Sequence, residues 1–167
     1  MRLKPGATKS GYAAPPKAGK NEFKDISIAI VATRWNVGVV DALIAGAHRC
    51  LKDWGVPAAQ VKEFRAPGAY ELPLAVSALI ERANFDGIVA LGAVIRGDTP
   101  HFEFVAGECA RGLREASQDS GVPVGFGVLT VNTDEQAVER CGPGRDNKGY
   151  EAAASALEMI RFVRELK

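Results

Sequence analysis

The stretch Gly87-Ile-Val-Ala-Leu-Gly-Ala-Val-Ile95 decides the fold class of this chain. It is apolar on both of the faces that a strand would present, which is typical of a central parallel strand with helices packed above and below it. Its near-apolar part, Ile88 to Ile95, is the longest such run in the sequence. That run is less than half of the roughly 20 residues that a membrane-spanning helix needs, so the sequence predicts no transmembrane segment.

Shorter runs rich in Ile and Val lie on both sides of this stretch and predict three further strands. They are Ile26 to Ala32, a run near Gln60 to Arg65, and Val122 to Leu129.

Helical patterns follow each of the four strands. The first helix is predicted between a cap at Asn36 and a stop at Gly55, and the second has Pro73 in its first turn. Helical spacing of apolar residues predicts the third helix from Phe102 to Ala116 and the last from about Asn147 to Leu166. Between these two, the capping box Thr133-Asp-Glu-Gln136 predicts the start of a short helix. This alternation, without internal repeats, predicts one α/β domain on a parallel sheet with right-handed crossovers. The length of 167 residues suits a single domain, and a hydrophobic content of 47% excludes a disordered, collagen-like or coiled-coil chain.

Charge separates the first twenty residues from the rest. Residues 1–20 carry five basic and no acidic side chains, whereas the remainder carries 16 basic and 20 acidic ones, a net charge of −4. An acidic core argues against nucleic-acid binding. We therefore predict a basic, flexible arm over residues 1–21 and a single domain over residues 22–167. The arm contacts nucleic acid or another anionic surface, or it lies as a tail on a neighbouring subunit; the second interpretation is favoured.

Cysteine and histidine usage predicts neither a disulfide framework nor a zinc site. The three cysteines form no CxxC pair, and His48 and His101 are too far apart for a local metal motif. We interpret the cysteines as small packing residues and expect a reduced, cytosolic compartment.

In open parallel sheets, ligands bind beyond the carboxyl ends of the strands, so the loops after the strands form the candidate site. These loops are Thr33 to Asn36, Ala66 to Glu71, Ile95 to His101, and Thr130 to Thr133.

The segment Gly97-Asp98-Thr99-Pro100-His101 is the strongest candidate for chemistry. If Thr99 caps a helix and Pro100 is its first residue, free N–H groups there suit a phosphate, provided that Asp98 points away. The positive helix end disfavours imidazolium, so His101 is expected to be neutral and to act as a general acid or base. A histidine that only bonds its own helix start stays open as the structural alternative.

Other residues of these loops suit a planar, phosphorylated ligand. Trp35 can stack on a heterocycle or only cover the strand end, and Glu71, in the turn Gly68-Ala69-Tyr70-Glu71, can accept from hydroxyls or only favour a helix dipole. Arg140 and Lys148 can pair with phosphate or remain solvated surface charges. From these residues alone we predict a phosphate-and-heterocycle site whose reaction is not determined.

Five motifs, taken in order and spacing, closely resemble the 6,7-dimethyl-8-ribityllumazine synthase family over residues 24–165. They are Arg34-Trp35-Asn36, Pro67-Gly-Ala-Tyr-Glu-Leu-Pro73, Leu91-Gly-Ala-Val-Ile-Arg-Gly-Asp-Thr-Pro-His101, Gly125-Phe-Gly-Val-Leu-Thr130 and Asn147-Lys148-Gly149. The resemblance implies a flavodoxin-like, three-layer α/β/α sandwich with a four-stranded parallel sheet. It also implies the condensation of 5-amino-6-(D-ribitylamino)uracil with 3,4-dihydroxy-2-butanone 4-phosphate, without a metal or organic cofactor.

The resemblance also implies a role for each matched position. His101 matches the proton-transfer residue, and Gly97, Asp98 and Thr99 with Arg140 match the phosphate site. The pyrimidine and ribityl contacts match Trp35, Ala69, Tyr70, Glu71, Ala93, Val94 and Ile95. Phe126 and Lys148 match groups that come from a neighbouring subunit.

Assembly follows from the same resemblance. Family members form pentamers with shared sites, some build shells of twelve pentamers, and residues near Glu22 to Lys24 would form an edge strand on a neighbour. Trp35 stands where many members carry Phe, so we also expect binding of riboflavin or product, and riboflavin synthase is an expected partner. Two alternatives stay open: a non-catalytic flavin-binding or shell-forming protein, and a phosphosugar lyase that uses Lys148 as a Schiff base.

Overall fold

The computed structural model describes residues 16–166, and in this part of the chain a single parallel sheet has the order β2-β1-β3-β4. Its strands are β1 (Ile28–Thr33), β2 (Val61–Ala66), β3 (Gly87–Ile95) and β4 (Val124–Val131). β1 and β3 are central, and their residues are almost all buried. The strand predicted from Gly87 to Ile95 is confirmed with both of its bounds.

Five α-helices connect and flank these strands within the described residues. They are α1 (Val37–Asp53), α2 (Leu72–Arg82), α3 (His101–Ser120), α4 (Asp134–Glu139) and α5 (Lys148–Glu165). Short 3-10 turns precede β2 and α2, at Ala58–Gln60 and Ala69–Glu71. Gly55 and Gly121 take positive φ angles of 82° and 72° directly after α1 and α3, where a side chain would be strained.

The helices form two layers with one hydrophobic core on each face of the sheet. On one face α1 and α5 cover Ile28, Ile30 and Val89, and on the other face α2 and α3 cover Val31 and Ala90. The alternation along each central strand explains why both faces are apolar. The predicted α/β fold, a flavodoxin-like three-layer sandwich with four parallel strands, is thereby confirmed.

Glycines let α5 approach its neighbours closely. A methyl group at Gly149 would lie 2.0 Å from the Leu43 carbonyl oxygen of α1, and one at Gly125 would lie 2.2 Å from the Ala152 carbonyl oxygen. Such contacts are far inside van der Waals separation, so α1, α5 and β4 pack at this distance only because these positions lack side chains.

Three of the four strand predictions are displaced by one or two residues. β1 begins at Ile28 rather than Ile26, because the Ser27 N–H donates to Asp86 Oδ2 at 2.7 Å instead of joining the ladder. β4 begins at Val124 rather than Val122, because Val122 is held by Ser117 and Ser120 in the turn after α3. It ends at Val131, beyond the predicted Leu129, because its pairing with β3 continues to Ile95. β2 begins and ends one residue later than predicted.

The helix starts agree with the sequence in two places and differ in two. Thr133 caps α4 by accepting from the Gln136 N–H, and Asn147 caps α5. Thr99 is not a cap, because α3 begins at His101 with Pro100 as its N-cap residue. Asn36 precedes α1 as expected, but its side chain makes no capping bond.

The segment before β1 folds onto its own chain. Residues 20–25, which include the segment near Glu22 to Lys24 that is expected to pair with a neighbouring subunit, form turns in the single chain. Phe23 is buried beside Trp54, and the Arg161 guanidinium binds the Glu22 carboxylate and lies over both rings. Lys17 and Lys20 of the predicted arm are exposed, whereas residues 1–15 of that arm lie outside the described part.

Residues 16–166 contain neither a candidate membrane span nor a candidate metal site. No helix there is long and apolar enough to cross a membrane. No three His, Cys, Asp or Glu side chains are grouped closely enough to hold a metal ion.

Candidate active site

The carboxyl ends of three adjacent strands bring three candidate loops to one edge of the sheet. β1 lies between β2 and β3, so the loop that contains Trp35 stands between the turn at Ala69–Glu71 and the loop that leads to His101. Ligands of parallel sheets bind at this edge. The sequence-predicted residues therefore share one face of the molecule.

Trp35, Gly68 and Glu71 form one wall of this region. The Trp35 side chain is 72% exposed, which is unusual for an indole. A methyl group at Gly68 would lie 3.3 Å from Trp35 Cδ1 and 3.1 Å from Glu71 Oε2, so the ring and the carboxylate meet across a glycine. This arrangement offers an aromatic face for stacking and a carboxylate that accepts hydroxyl or amine protons.

The end of β3 forms the second wall. The β1–β3 ladder ends at Ala32 and Leu91, whereas the β3–β4 ladder continues to Ile95 and Val131. The last residues of β3 therefore project beyond β1 on one side. Ala93 is buried, and Val94 and Ile95 are half-buried at this projection.

His101 opens the third wall at the start of α3. Residues 97–101 are all exposed, and the first turn of the helix has no side-chain cap. Uncapped N–H groups at a helix start, next to a glycine that permits close approach, suit an oxyanion such as phosphate. Glu103 also lies in this first turn, but it is engaged by Arg96.

Arg96 is a residue of this region that sequence analysis did not single out. Its guanidinium donates to Glu103 and, at 3.0 Å, to Asn132 Oδ1, and it lies 4.2 Å from the centre of the Phe102 ring. The hydrogen bond from Arg96 lowers the pKa of the Glu103 carboxyl. Arg96 thus ties the start of α3 to the end of β4, and its charge is already paired. Asn132 lies on another element, so sequence spacing carries no signal for this contact.

Phe126, Arg140 and Lys148 lie together in a different place, along the edge of β4. They line an open groove of about 300 Å³, together with residues of α5 that include Glu151 and Ser155. The backbone N–H of Lys148 donates to the Arg140 carbonyl oxygen at 2.8 Å, which places the backbones of the two residues side by side. Lys148 Nζ donates to Glu151 Oε2 at 2.6 Å. Glu151, which lines this groove, is a further residue that sequence analysis did not single out.

Asn147 holds this second group in place. Its side chain is 1% exposed; Oδ1 accepts from the N–H groups of Gly149 and Tyr150, and Nδ2 donates to the carbonyl oxygens of Ala42 and Gly142. One amide therefore links α1, the turn after α4 and the start of α5. The sequence predicts that a helix begins near Asn147, but it predicts neither the capping bonds of this side chain nor its bonds to the carbonyl groups of Ala42 and Gly142.

Phe126 lies at the end of the groove that is farther from the carboxyl ends of the strands, whereas Thr130 and Val131 at its other end pair with Val94 and Ile95. Phe126 pairs with Ala90, five residues before the end of β3 at Ile95, and residues of a strand rise about 3.3 Å each. The backbone of Phe126 thus lies roughly 16 Å along the sheet from the end of β3 at Ile95. Neither Trp35 nor Glu71 nor His101 lines the groove at β4.

The cysteines are unsuited to chemistry. Burial raises the pKa of the Cys50 and Cys109 thiols to about 12, and it also raises that of the half-buried Cys141. Thiolate is the reactive form, so these groups remain inert near neutral pH. The interpretation of Cys50 and Cys109 as packing residues agrees with their burial.

Comparison with known proteins gives a consistent result over most of the chain. A sequence model of the 6,7-dimethyl-8-ribityllumazine synthase family matches residues 25–164. A 6,7-dimethyl-8-ribityllumazine synthase of Nitratidesulfovibrio vulgaris (strain DSM 19637 / Miyazaki F) is 49% identical over 148 residues, which cover 89% of this chain and 95% of that protein. A protein of the same name from Halorhodospira halophila (strain DSM 244 / SL1) is 50% identical over 145 residues, which cover 87% of this chain and 93% of the relative.

Proposed function

The chain belongs to the 6,7-dimethyl-8-ribityllumazine synthase family, and from this premise we propose which of its residues carry out the reaction. The protein is a transferase of riboflavin biosynthesis. It condenses 5-amino-6-(D-ribitylamino)uracil with 3,4-dihydroxy-2-butanone 4-phosphate to 6,7-dimethyl-8-ribityllumazine, and phosphate and water are released. The observation that supports our residue assignments is the placement of Trp35, Glu71 and His101 in loops at the carboxyl ends of adjacent strands.

The pyrimidine substrate binds between the first two walls. The indole of Trp35 stacks on the uracil ring, and the backbone of Ala93, Val94 and Ile95 binds the polar edge of that ring. The turn Ala69–Glu71 binds the ribityl chain, for which the Glu71 carboxylate is an acceptor of hydroxyl protons.

The phosphate ester binds at the start of α3. The backbone of Gly97, Asp98 and Thr99 donates to the phosphate, and Arg140 pairs with it as a forked donor. An exposed Asp98 leaves room for its carboxylate to point away from the anion.

His101 is the proton-transfer residue in this assignment. The 5-amino group attacks the ketone carbon, and loss of water from that carbon gives an imine. Elimination of phosphate follows, and the second nitrogen closes the ring with loss of water. Each of these steps moves a proton to or from nitrogen, oxygen or carbon, and a histidine at the mouth of the site can mediate the transfer.

Oligomerisation completes the site. Phe126 and Lys148 line a groove at β4 that contains neither Trp35 nor His101, and we assign both of them to the site of a neighbouring subunit. We expect a homo-oligomer, a pentamer or a multiple of pentamers, with active sites at the subunit interfaces. Residues 22–167 form the domain, and the ion pair of Glu22 with Arg161 supports that boundary.

The remaining assignments concern location and partners. The enzyme acts in the cytoplasm on small molecules, not on nucleic acid or at a membrane. The exposed indole of Trp35 also binds riboflavin or the lumazine product, and riboflavin synthase is a candidate partner that receives this product.

A test of the residue roles measures formation of the fluorescent lumazine against a control without enzyme, since the two substrates condense slowly unaided. His101→Ala should lower kcat by about tenfold without abolishing turnover, because positioning of the reactants supplies much of the rate. Arg140→Ala should lower kcat/KM more, by roughly a hundredfold, through lost phosphate binding. Full activity in both variants contradicts the assignment.

A further inference from the structure

We propose that Asn36 is a positioning residue that holds the Trp35 ring against the pyrimidine-binding end of β3. The inference rests on the proposed stacking of Trp35 on the pyrimidine substrate. It assigns to Asn36 no contact with the substrate, only the placement of its neighbour.

The backbone of Asn36 has a left-handed conformation, with φ 54° and ψ 48°. Among residues 16–166, only Asn21 shares a positive φ without being glycine. Such a conformation is unfavourable for residues with a side chain, and it persists where the surrounding structure demands it. Here it turns the chain sharply from the end of β1 into α1.

The side chain of Asn36 makes an unusual contact for its position. An asparagine before a helix ordinarily accepts from an N–H of the first turn, but Asn36 makes no such bond. Its Nδ2 instead donates to the Ala93 carbonyl oxygen at 3.0 Å, across the sheet. Asn36 therefore has neither a relaxed backbone nor a helix-capping bond, and it makes this one bond instead.

The bond to Ala93 extends the sheet where β1 has already ended. The β1–β3 ladder stops at Ala32 and Leu91, so β1 supplies no further paired residue beside Ala93. Asn36 reaches this carbonyl group from the loop instead. The loop and the pyrimidine-binding end of β3 are thereby fixed relative to each other.

Trp35 is consequently held on both sides. The N–H of the preceding residue, Arg34, donates to the Ala66 carbonyl oxygen of β2 at 3.1 Å, and the following residue binds Ala93 of β3. The indole itself is 72% exposed, so packing alone does little to hold the ring. These two bonds set where the aromatic face stands above the strand ends.

The test compares Asn36→Gly with the unchanged enzyme. Glycine adopts the left-handed backbone freely and lacks the amide, so the variant keeps the turn and loses only the bond. We expect the KM for 5-amino-6-(D-ribitylamino)uracil to rise about fivefold, within the range that an aromatic contact contributes. The KM for 3,4-dihydroxy-2-butanone 4-phosphate and the oligomer size should not change.

Asn36→Asp is the matched second variant. Aspartate has the same size and tolerates the same backbone, but it replaces the donor by an oxygen that faces the Ala93 carbonyl. The KM for the pyrimidine should rise at least as much as in Asn36→Gly. A rise in the KM of both substrates by the same factor, in either variant, indicates a general structural role and overturns the inference.

Trp35→Ala, assayed in parallel, separates this inference from the proposed function. If Trp35→Ala raises the KM for the pyrimidine and Asn36→Gly leaves it unchanged, stacking stands and the positioning role of Asn36 is overturned. If Trp35→Ala itself leaves that KM unchanged, the proposed stacking fails, and the inference about Asn36 fails with it.

Discussion

Thr33, the last residue of β1, has a buried hydroxyl group that is not hydrogen-bonded. It is 1% exposed, and its hydroxyl is the one buried side-chain polar atom without a hydrogen-bond partner among residues 16–166. A methyl group at Gly92, on the neighbouring strand, would lie 3.0 Å from Thr33 Cγ2. The glycine thus leaves room for the threonine but gives its hydroxyl no acceptor.

Thr33→Val should therefore stabilise the protein. The substitution keeps the shape and removes a hydroxyl that has lost water without gaining a partner, so the free energy of unfolding should rise by about 1 kcal/mol. Urea unfolding monitored by circular dichroism measures the change. Thr33→Ser, which keeps the hydroxyl and removes the methyl group, is the control and should destabilise. Destabilisation by Thr33→Val would show that the hydroxyl is bonded in solution.

The segment before β1 is held against α5 by an ion pair between Glu22 and Arg161. Arg161 Nη2 donates to Glu22 Oε2 at 3.1 Å, and the same guanidinium lies 5.2 Å from the centre of the Trp54 ring. Both charged side chains are largely removed from solvent, with exposures of 20% and 27%. The hydrogen bond from Arg161 holds the pKa of the Glu22 carboxyl below its ordinary value of 4.5.

Stability should depend on pH through this pair. A carboxyl whose pKa is lowered on folding stabilises the protein above its unfolded value of 4.5, and that contribution is lost as the pH falls through the folded value. Glu22→Gln should thus lower the free energy of unfolding by about 1 kcal/mol at pH 7 and by progressively less below pH 4.5. Denaturant unfolding at a series of pH values measures the difference. A deficit that does not shrink on acidification would contradict an ionic role for Glu22.

At the scale of the whole molecule, the division of the candidate site into two groups has a consequence for assembly. Trp35, Glu71 and His101 stand at the carboxyl ends of the strands, whereas Phe126 and Lys148 line the groove at β4. If each site takes one group from each of two subunits, a chain with a defect in one group still supplies its other group intact to a site that it shares with a neighbour.

Two defective variants should consequently complement each other. Trp35→Ala/Glu71→Ala damages the first group and Phe126→Ala/Lys148→Ala the second. Co-assembled at equal amounts, the two chains should restore about a quarter of the sites, because random pairing unites two intact groups at that frequency. Lumazine formation by the co-expressed mixture, compared with that by the two proteins assembled separately, measures the recovery.

The control for complementation pairs two variants of the same group. Trp35→Ala co-assembled with Glu71→Ala should recover nothing if Trp35 and Glu71 act from one subunit, because no site then contains both intact. Equal recovery in both pairings would contradict the division of the site. No recovery in the first pairing would show that one chain supplies both groups.

The sequence by itself determined the class of fold and the loops that make up the candidate site. Apolar residues on both faces of Gly87–Ile95, and the alternation of strand and helix patterns, carry enough information for a parallel sheet between two helical layers. Because ligands bind at the carboxyl ends of such strands, the loops with Trp35, Glu71 and His101 could be picked out without coordinates. Boundaries were less accurate: β4 is displaced from its predicted range because side chains of the preceding turn decide where pairing begins.

Contacts between distant residues were decided only by the tertiary structure. The bonds of Asn36 to Ala93, of Arg96 to Asn132 and of Asn147 to Ala42 join residues that are 57, 36 and 105 positions apart. The spacing of residues along the sequence carries no information about such pairs, because the packing of whole elements decides which residues become partners. The same holds for Phe23, which packs beside Trp54 of its own chain, and for the distance that separates Phe126 from the strand ends. Periodicity specifies which face of an element is buried; which polar groups then meet depends on how the buried faces fit together.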